Sequence, residues 1–210
     1  MPLFLAEFKT FFNLEYIGNC YICRLFFNHN HIMNPIIKKD GFRIGLIVSI
    51  LQIIITIYLY KFGSFVDVKF GFLILFFNVL FGVTTIFIVK KKQNNSITLR
   101  EAFSGYFITI LISMVLSTLF YVTFFNTLAN SSKREAIKKE LFDFQVQNMK
   151  DNHFSEKDIQ KNIELAKNTN PFSLATAFQS SLKFLILYSV LGIVFSFFLK
   201  NKSSFQEISN

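Results

Sequence analysis

Four long, predominantly apolar stretches dictate what this chain can become. They run from about Phe42 to Tyr60, from Phe70 to Val89, from Ala102 to Phe125, and from about Ala175 to Leu199, the last densest after Phe184. A helix needs about 20 mostly apolar residues to cross a bilayer core roughly 30 Å thick, and each stretch meets that length. No acidic residue interrupts any of the four, and charged or polar loops bound each one. A helix on the surface of a soluble protein would carry a polar face along its length. These do not. The expectation is an all-α integral membrane four-helix bundle. Lys183 falls within a couple of turns of the start of the last span, close enough for its ammonium to snorkel to the interface.

Composition agrees. Hydrophobic residues make up 52% of the 210 and charged ones 17%, with a mean hydropathy of +0.43, against about 25% charged in soluble domains. Phe supplies 30 residues and Trp none. Together with abundant Ile, Lys and Asn, this is the usage of an AT-rich coding sequence and carries no mechanism.

A net charge of +9 invites a nucleic-acid reading. The cations, however, sit in short clusters beside the apolar runs: Lys38, Lys39 and Arg43; Lys90, Lys91, Lys92 and Arg100; Lys200 and Lys202. Such clusters orient a membrane protein and attract anionic lipid head groups, whereas a nucleic-acid reader sets its cations on a recognition element, and none is legible. No nucleic-acid partner is expected. The loop between the first two spans carries only Lys61 and Lys69 against Asp67. In the 130–170 loop eight basic residues face seven acidic ones, and long loops translocate largely regardless of charge. Both termini are therefore expected in the cytoplasm of a cell whose inner membrane holds the chain, with the long loop outside.

That loop has helical patterning. Ser132-x-x-Glu135 has the form of a capping box, followed by Ile137, Leu141 and Phe144 on one face. Ser155-x-x-Asp158 opens a second helix with Ile159, Ile163 and Ala166 on one face, ending before Asn170-Pro171. Asp151-Asn152-His153 marks a turn between them. The pattern fits an extramembrane helical hairpin between the third and fourth spans, or two helices that lengthen those spans.

Residues 1–32 differ from the rest, with Glu7, Lys9, Glu15 and Arg24 scattered among aromatics and no basic-then-apolar leader. Met33, directly before Asn34-Pro35-Ile36-Ile37-Lys38-Lys39, is the expected true start, which leaves 33–202 as the membrane domain and 203–210 as a cytoplasmic tail. Cys20-x-x-Cys23 with His29 and His31 forms the only cluster with metal-ligand chemistry, but five residues separate Cys23 from His29 and His-x-His is not the usual His-x₃₋₅-His of a zinc site. No metal, cofactor or catalytic residue is expected, and two cysteines exclude a disulfide scaffold.

Each span carries one stripe of small or polar residues: Gly41, Gly45, Ser49, Gln52 and Thr56; Gly71, Asn78, Gly82 and Thr85; Gly105, Thr109, Ser113 and Ser117; Ser189, Gly192 and Ser196. Small residues let helix backbones approach, and hydroxyl and amide groups bridge helices. The stripes are expected to face inward, with Gln52 and Asn78 bonded to each other near mid-depth. Proton relays, ion-coupled carriers and voltage sensors need ionisable groups inside the spans. Here charge stays near the ends, at Arg43, Lys61, Lys69 and Lys183.

From about Met33 to Lys202 the order of elements resembles the domain-of-unknown-function 4199 family of small, mostly Bacteroidota membrane proteins. The resemblance rests on Gly45-Leu46-Ile47, Ile97-Thr98-Leu99-Arg100-Glu101-Ala102-Phe103, Gln147-Asn148-Met149, Phe154-Ser155-Glu156-Lys157-Asp158-Ile159, and Asn170-Pro171-Phe172 leading to Gly192. It implies the architecture and brings no activity or site. The expected role is non-enzymatic: structural, assembly or regulatory, through helix and loop contacts with a second copy or another membrane protein. The alternative is a subunit of a small oligomeric channel or carrier.

Overall fold

The computed structural model describes residues 34–201 apart from Asn168. The Cys20–His31 cluster, the Met33 start and the 203–210 tail lie outside the described residues. Within them the chain is helical throughout and contains no strand. The helices are α1 (Pro35–Phe62), α2 (Val68–Lys92), α3 (Leu99–Thr123), α4 (Ser131–Asp151), α5 (Glu156–Lys167) and α6 (Leu174–Leu199). Four of them, α1, α2, α3 with its continuation to Leu128, and α6, are long and apolar enough to cross a membrane.

Local chemistry sets the ends. Pro35 opens α1, where its missing N–H costs nothing, so this helix begins seven residues before the expected Phe42 and takes in Lys38, Lys39 and Asp40. Asp67 caps α2 by accepting from the Lys69 N–H at 3.0 Å. Thr98 and Glu101 form a reciprocal capping box on α3, with the Glu101 N–H on Thr98 Oγ1 at 3.2 Å and the Thr98 N–H on Glu101 Oε2 at 3.0 Å. Between α2 and α3, Asn94 and Asn95 take φ of 54° and 59°, a left-handed conformation that Asn tolerates better than most residues.

The third span does not run straight into the loop. After Thr123 the chain makes one π turn, Phe124–Leu128, and Ala129 and Asn130 are extended. The break makes α4 a separate helix, not a continuation of the span. Its cap is Asn130, which accepts from the Ser132 N–H at 2.9 Å, so the helix opens with an Asx cap two residues before the expected Ser132 box. Ser155 caps α5 as expected, with Ser155 Oγ 2.6 Å from Asp158 Oδ2 and the Asp158 N–H on Ser155 Oγ at 3.2 Å. The turn between α4 and α5 closes with His153 at φ 58° and the Phe154 N–H on the Met149 carbonyl at 3.1 Å.

Packing gathers the long helices into one bundle with two distinct ends. At the first end, Lys90 Nζ donates to the Leu199 carbonyl at 3.0 Å and the Ile97 N–H to Asn201 Oδ1 at 2.9 Å, while Lys92 pairs with Asp40 at 2.6 Å. At the second, the Asn130 N–H donates to Tyr60 Oη at 2.9 Å, Ser64 Oγ bonds the Glu140 carboxylate, and Phe125 stacks on Phe172 at 4.5 Å. Ile137 and Leu141 of α4 pack on this Phe125–Phe172 cluster, while Phe144, the third residue of the expected stripe, is exposed. The exterior of the long helices is apolar: Phe62 and Phe198 are 77% exposed and Ile186 68%. A soluble monomer rarely displays so wide an apolar surface.

Candidate functional site

The polar stripes turn inward, as their spacing predicts. Gly41, Gly45, Ser49, Gln52, Asn78, Gly82, Thr85, Gly105, Thr109, Ser113, Gly192 and Ser196 are all buried. Ser117, Thr56 and Ser189 are half-buried, and Gly71 alone of the set is exposed. The glycines of α1 are there for proximity: a Cβ on Gly45 would lie 2.9 Å from the Thr109 carbonyl oxygen, and one on Gly41 3.0 Å from Ile108 Cγ2. Only a bare backbone lets α1 and α3 approach this closely.

Hydrogen bonds across the seam are uncharged and local. Gln52 Nε2 donates to Asn78 Oδ1 at 3.0 Å, the pairing expected from their matching depth. The same oxygen accepts from Ser113 Oγ at 3.2 Å, and Asn78 Nδ2 reaches back to the Ile74 carbonyl at 2.8 Å. One residue of α2 thus ties α1 and α3 to its own helix. One layer nearer the Lys90–Leu199 end, Thr85 Oγ1 and Thr109 Oγ1 lie 2.8 Å apart, and nearer the opposite end Thr118 Oγ1 and Ser181 Oγ are 2.7 Å apart.

Sequence spacing missed the centre of the bundle, Tyr106. Its side chain is fully buried between two glycines from different helices: Cβ atoms on Gly82 and Gly192 would each fall 2.5 Å from opposite edges of the ring. The phenol hydroxyl has no hydrogen-bond partner among the described residues. The signal was available in the stripes, because Gly82 and Gly192 mark where two helices leave room for a large third partner. Asp40 was also missed as part of a span; it is 5% exposed and held by Lys92.

Two concavities stand out among the described residues. A groove of about 610 Å³ runs between α4, α5 and the start of α6, with Lys138, Lys139, Glu135 and Asn162 on its walls. A crevice of about 390 Å³ opens between α2 and α6; its surface is mostly apolar, with Phe72, Met114 and Phe184 beside Gln52, Asn78 and Tyr188. Among the described residues no cluster of three or more His, Cys, Asp or Glu side chains could hold a metal ion.

Compared with known proteins, residues 39–201 match the family model described as a protein of unknown function (DUF4199). No curated protein and no solved structure matches the chain.

Proposed function

We propose, for a chain that belongs to the DUF4199 family, an integral membrane protein of the bacterial inner membrane that works through helix and loop contacts and catalyses nothing. The observation that carries this reading is the inversion of the bundle. Large apolar side chains such as Phe72, Ile186 and Phe198 face outward, while the amides and hydroxyls of Gln52, Asn78, Thr85, Thr109 and Ser113 bond to one another inside. In hydrocarbon a polar group needs a protein partner, and this arrangement supplies one to these amides and hydroxyls.

Orientation follows from the two ends. Lys38, Lys39, Arg43, Lys90, Lys91, Lys92, Arg100 and Lys200 gather at the end where α1 begins and α6 stops, against Asp40 and Glu101. This end is the cytoplasmic one, and its cations meet anionic lipid head groups. The opposite end, with the helical hairpin α4–α5, lies outside. Helix α4, docked on the Phe125 cluster, offers its remaining surface to a second copy or another membrane protein.

The channel alternative draws no support from the seam. Tyr106 fills the space between Gly82 and Gly192, and the Thr85 and Thr109 hydroxyls are spent on each other. Any pathway would have to form between copies. Gentle solubilisation followed by size determination, with solute flux measured in liposomes, separates the two readings. Contact function leads to a defined assembly and tight liposomes; flux that bulky substitution at Ser113 or Asn78 abolishes overturns it.

A further inference from the structure

Lys183 lies well inside α6. At 1.5 Å per residue its Cα is about 14 Å from Leu174 and about 24 Å from Leu199, so the nearer membrane face is the one at the α4 end. A helical side chain leans toward the N-terminus of its own helix, and an ammonium within a span reaches for the nearer interface. For Lys183 the two directions coincide. Its side chain is exposed and has no ion-pair partner among the described residues. An unpaired ammonium is costly in hydrocarbon, so the direction in which it reaches should hold an anion.

That direction leads to the groove beside α4. Thr176, Ser180 and Lys183 follow one another at steps of four and three on one face of α6, and Thr176 and Ser180 line the groove. On its other wall stand Lys138 and Lys139 of α4, also without ion-pair partners among the described residues. The 26 residues of α6 span about 39 Å against a hydrocarbon core of roughly 30 Å, so its first turns, and the groove with them, stand at head-group depth. Three lysines thus bracket this space against the single carboxylate of Glu135. A dissolved anion could meet Lys138 and Lys139 but would have to enter hydrocarbon to meet Lys183, whereas a phosphodiester already in the leaflet can meet all three. A choline head would bring a further cation to the lysines. A glycerol head adds only neutral hydroxyls, which Asn162, Thr176 and Ser180 can bond.

We propose that the groove between α4, α5 and α6 seats the phosphate of an anionic phospholipid of the phosphatidylglycerol kind, drawn from the leaflet on the α4 side. Lys183 meets the phosphate from below and Lys138 and Lys139 from above, and the acyl chains descend along α6 past Leu187, one turn beyond Lys183 on the same face. The inference rests on the bilayer placement proposed above. The bound lipid offsets the repulsion between the lysines of α4 and α6 and so ties the α4–α5 hairpin to the last span.

The chain has no Trp, so one can be installed as a reporter. Leu187→Trp lies on the path of the acyl chains, and Leu80→Trp on α2 is the control. Both leucines are 45% exposed, and they lie at similar depth, about 20 Å from Leu174 and about 18 Å from Val68. Each variant of the full chain is reconstituted in phosphatidylcholine vesicles containing increasing dibrominated phosphatidylglycerol or dibrominated phosphatidylcholine with the same chains. At position 187 the phosphatidylglycerol should quench several-fold more steeply and saturate at a low mole fraction; at position 80 the two lipids should quench alike. Lys183→Gln, or Lys138→Gln together with Lys139→Gln, should remove the preference at 187. Lys183→Arg should keep it, and so should Lys38→Gln with Lys39→Gln at the far end. Equal quenching at 187, or a preference that survives the glutamines at 183 or at 138 and 139, overturns the proposal. A preference as large at 80 as at 187 overturns it too, by assigning the effect to general attraction. So does shielding of 187 from both lipids while 80 is quenched, which would give this face to a second copy. No quenching at either position overturns the bilayer placement itself.

Discussion

At the scale of single residues, Tyr106 is where burial and geometry conflict most openly. Its ring cannot retreat from a new methyl on either side, because Gly82 and Gly192 press its two opposite edges. Gly192→Ala should therefore cost about 1–3 kcal/mol through overpacking, more than the roughly 1 kcal/mol that Ala gains over Gly in a helix. Tyr106→Phe should do the opposite: it removes a buried hydroxyl without a partner among the described residues, leaves the ring in place, and should hold or raise the melting temperature. Thermal unfolding in nanodiscs reads both, and a Tyr106→Phe loss as large as that of Gly192→Ala would show that the hydroxyl is satisfied. The Gln52–Asn78 bond should be modest. A double-mutant cycle with Gln52→Leu and Asn78→Leu should give a coupling of about 0.6 kcal/mol, and one well beyond about 2 kcal/mol would contradict a simple bilayer hydrogen bond. Gln52 and Asn78 could be paired from sequence because both lie on polar stripes at matching depth. Tyr106 could not, since an aromatic residue in an apolar run looks the same facing lipid or facing in.

At the scale of elements, caps rather than hydropathy set the boundaries. Hydropathy finds the middle of a span and stops at the first charge, so it placed the start of the first span at Phe42 and missed the two turns from Pro35. It also carried the third span to Phe125 without detecting the π turn at Phe124–Leu128, whose first two residues, Phe124 and Phe125, are as apolar as those before them. The Thr98–Glu101 box is the best-formed of these signals, and its S/T-x-x-E spacing was legible. Thr98→Val should destabilise the bundle by about 1 kcal/mol, measured by the same thermal assay, with no change in oligomeric size. The choice between a separate α4 and a lengthened third span was not legible. It turns on Asn130, whose side chain caps α4 just where the backbone is extended.

At the scale of the molecule, the periodicity of small residues gave the inward faces, and the clustering of cations gave the two ends. What covers the outward faces is a matter of environment. A reporter fused after Leu199 should read as cytoplasmic and one inserted in the α4–α5 turn as external; a cytoplasmic signal from the turn would reverse the orientation. Underneath every one of these statements lies the bilayer. Membranes from cells expressing the full chain, washed at alkaline pH and sedimented by ultracentrifugation, test it directly. The expected result is a protein that stays in the pellet and leaves it only with detergent; recovery of the intact chain in the detergent-free supernatant would contradict the placement of these helices in lipid.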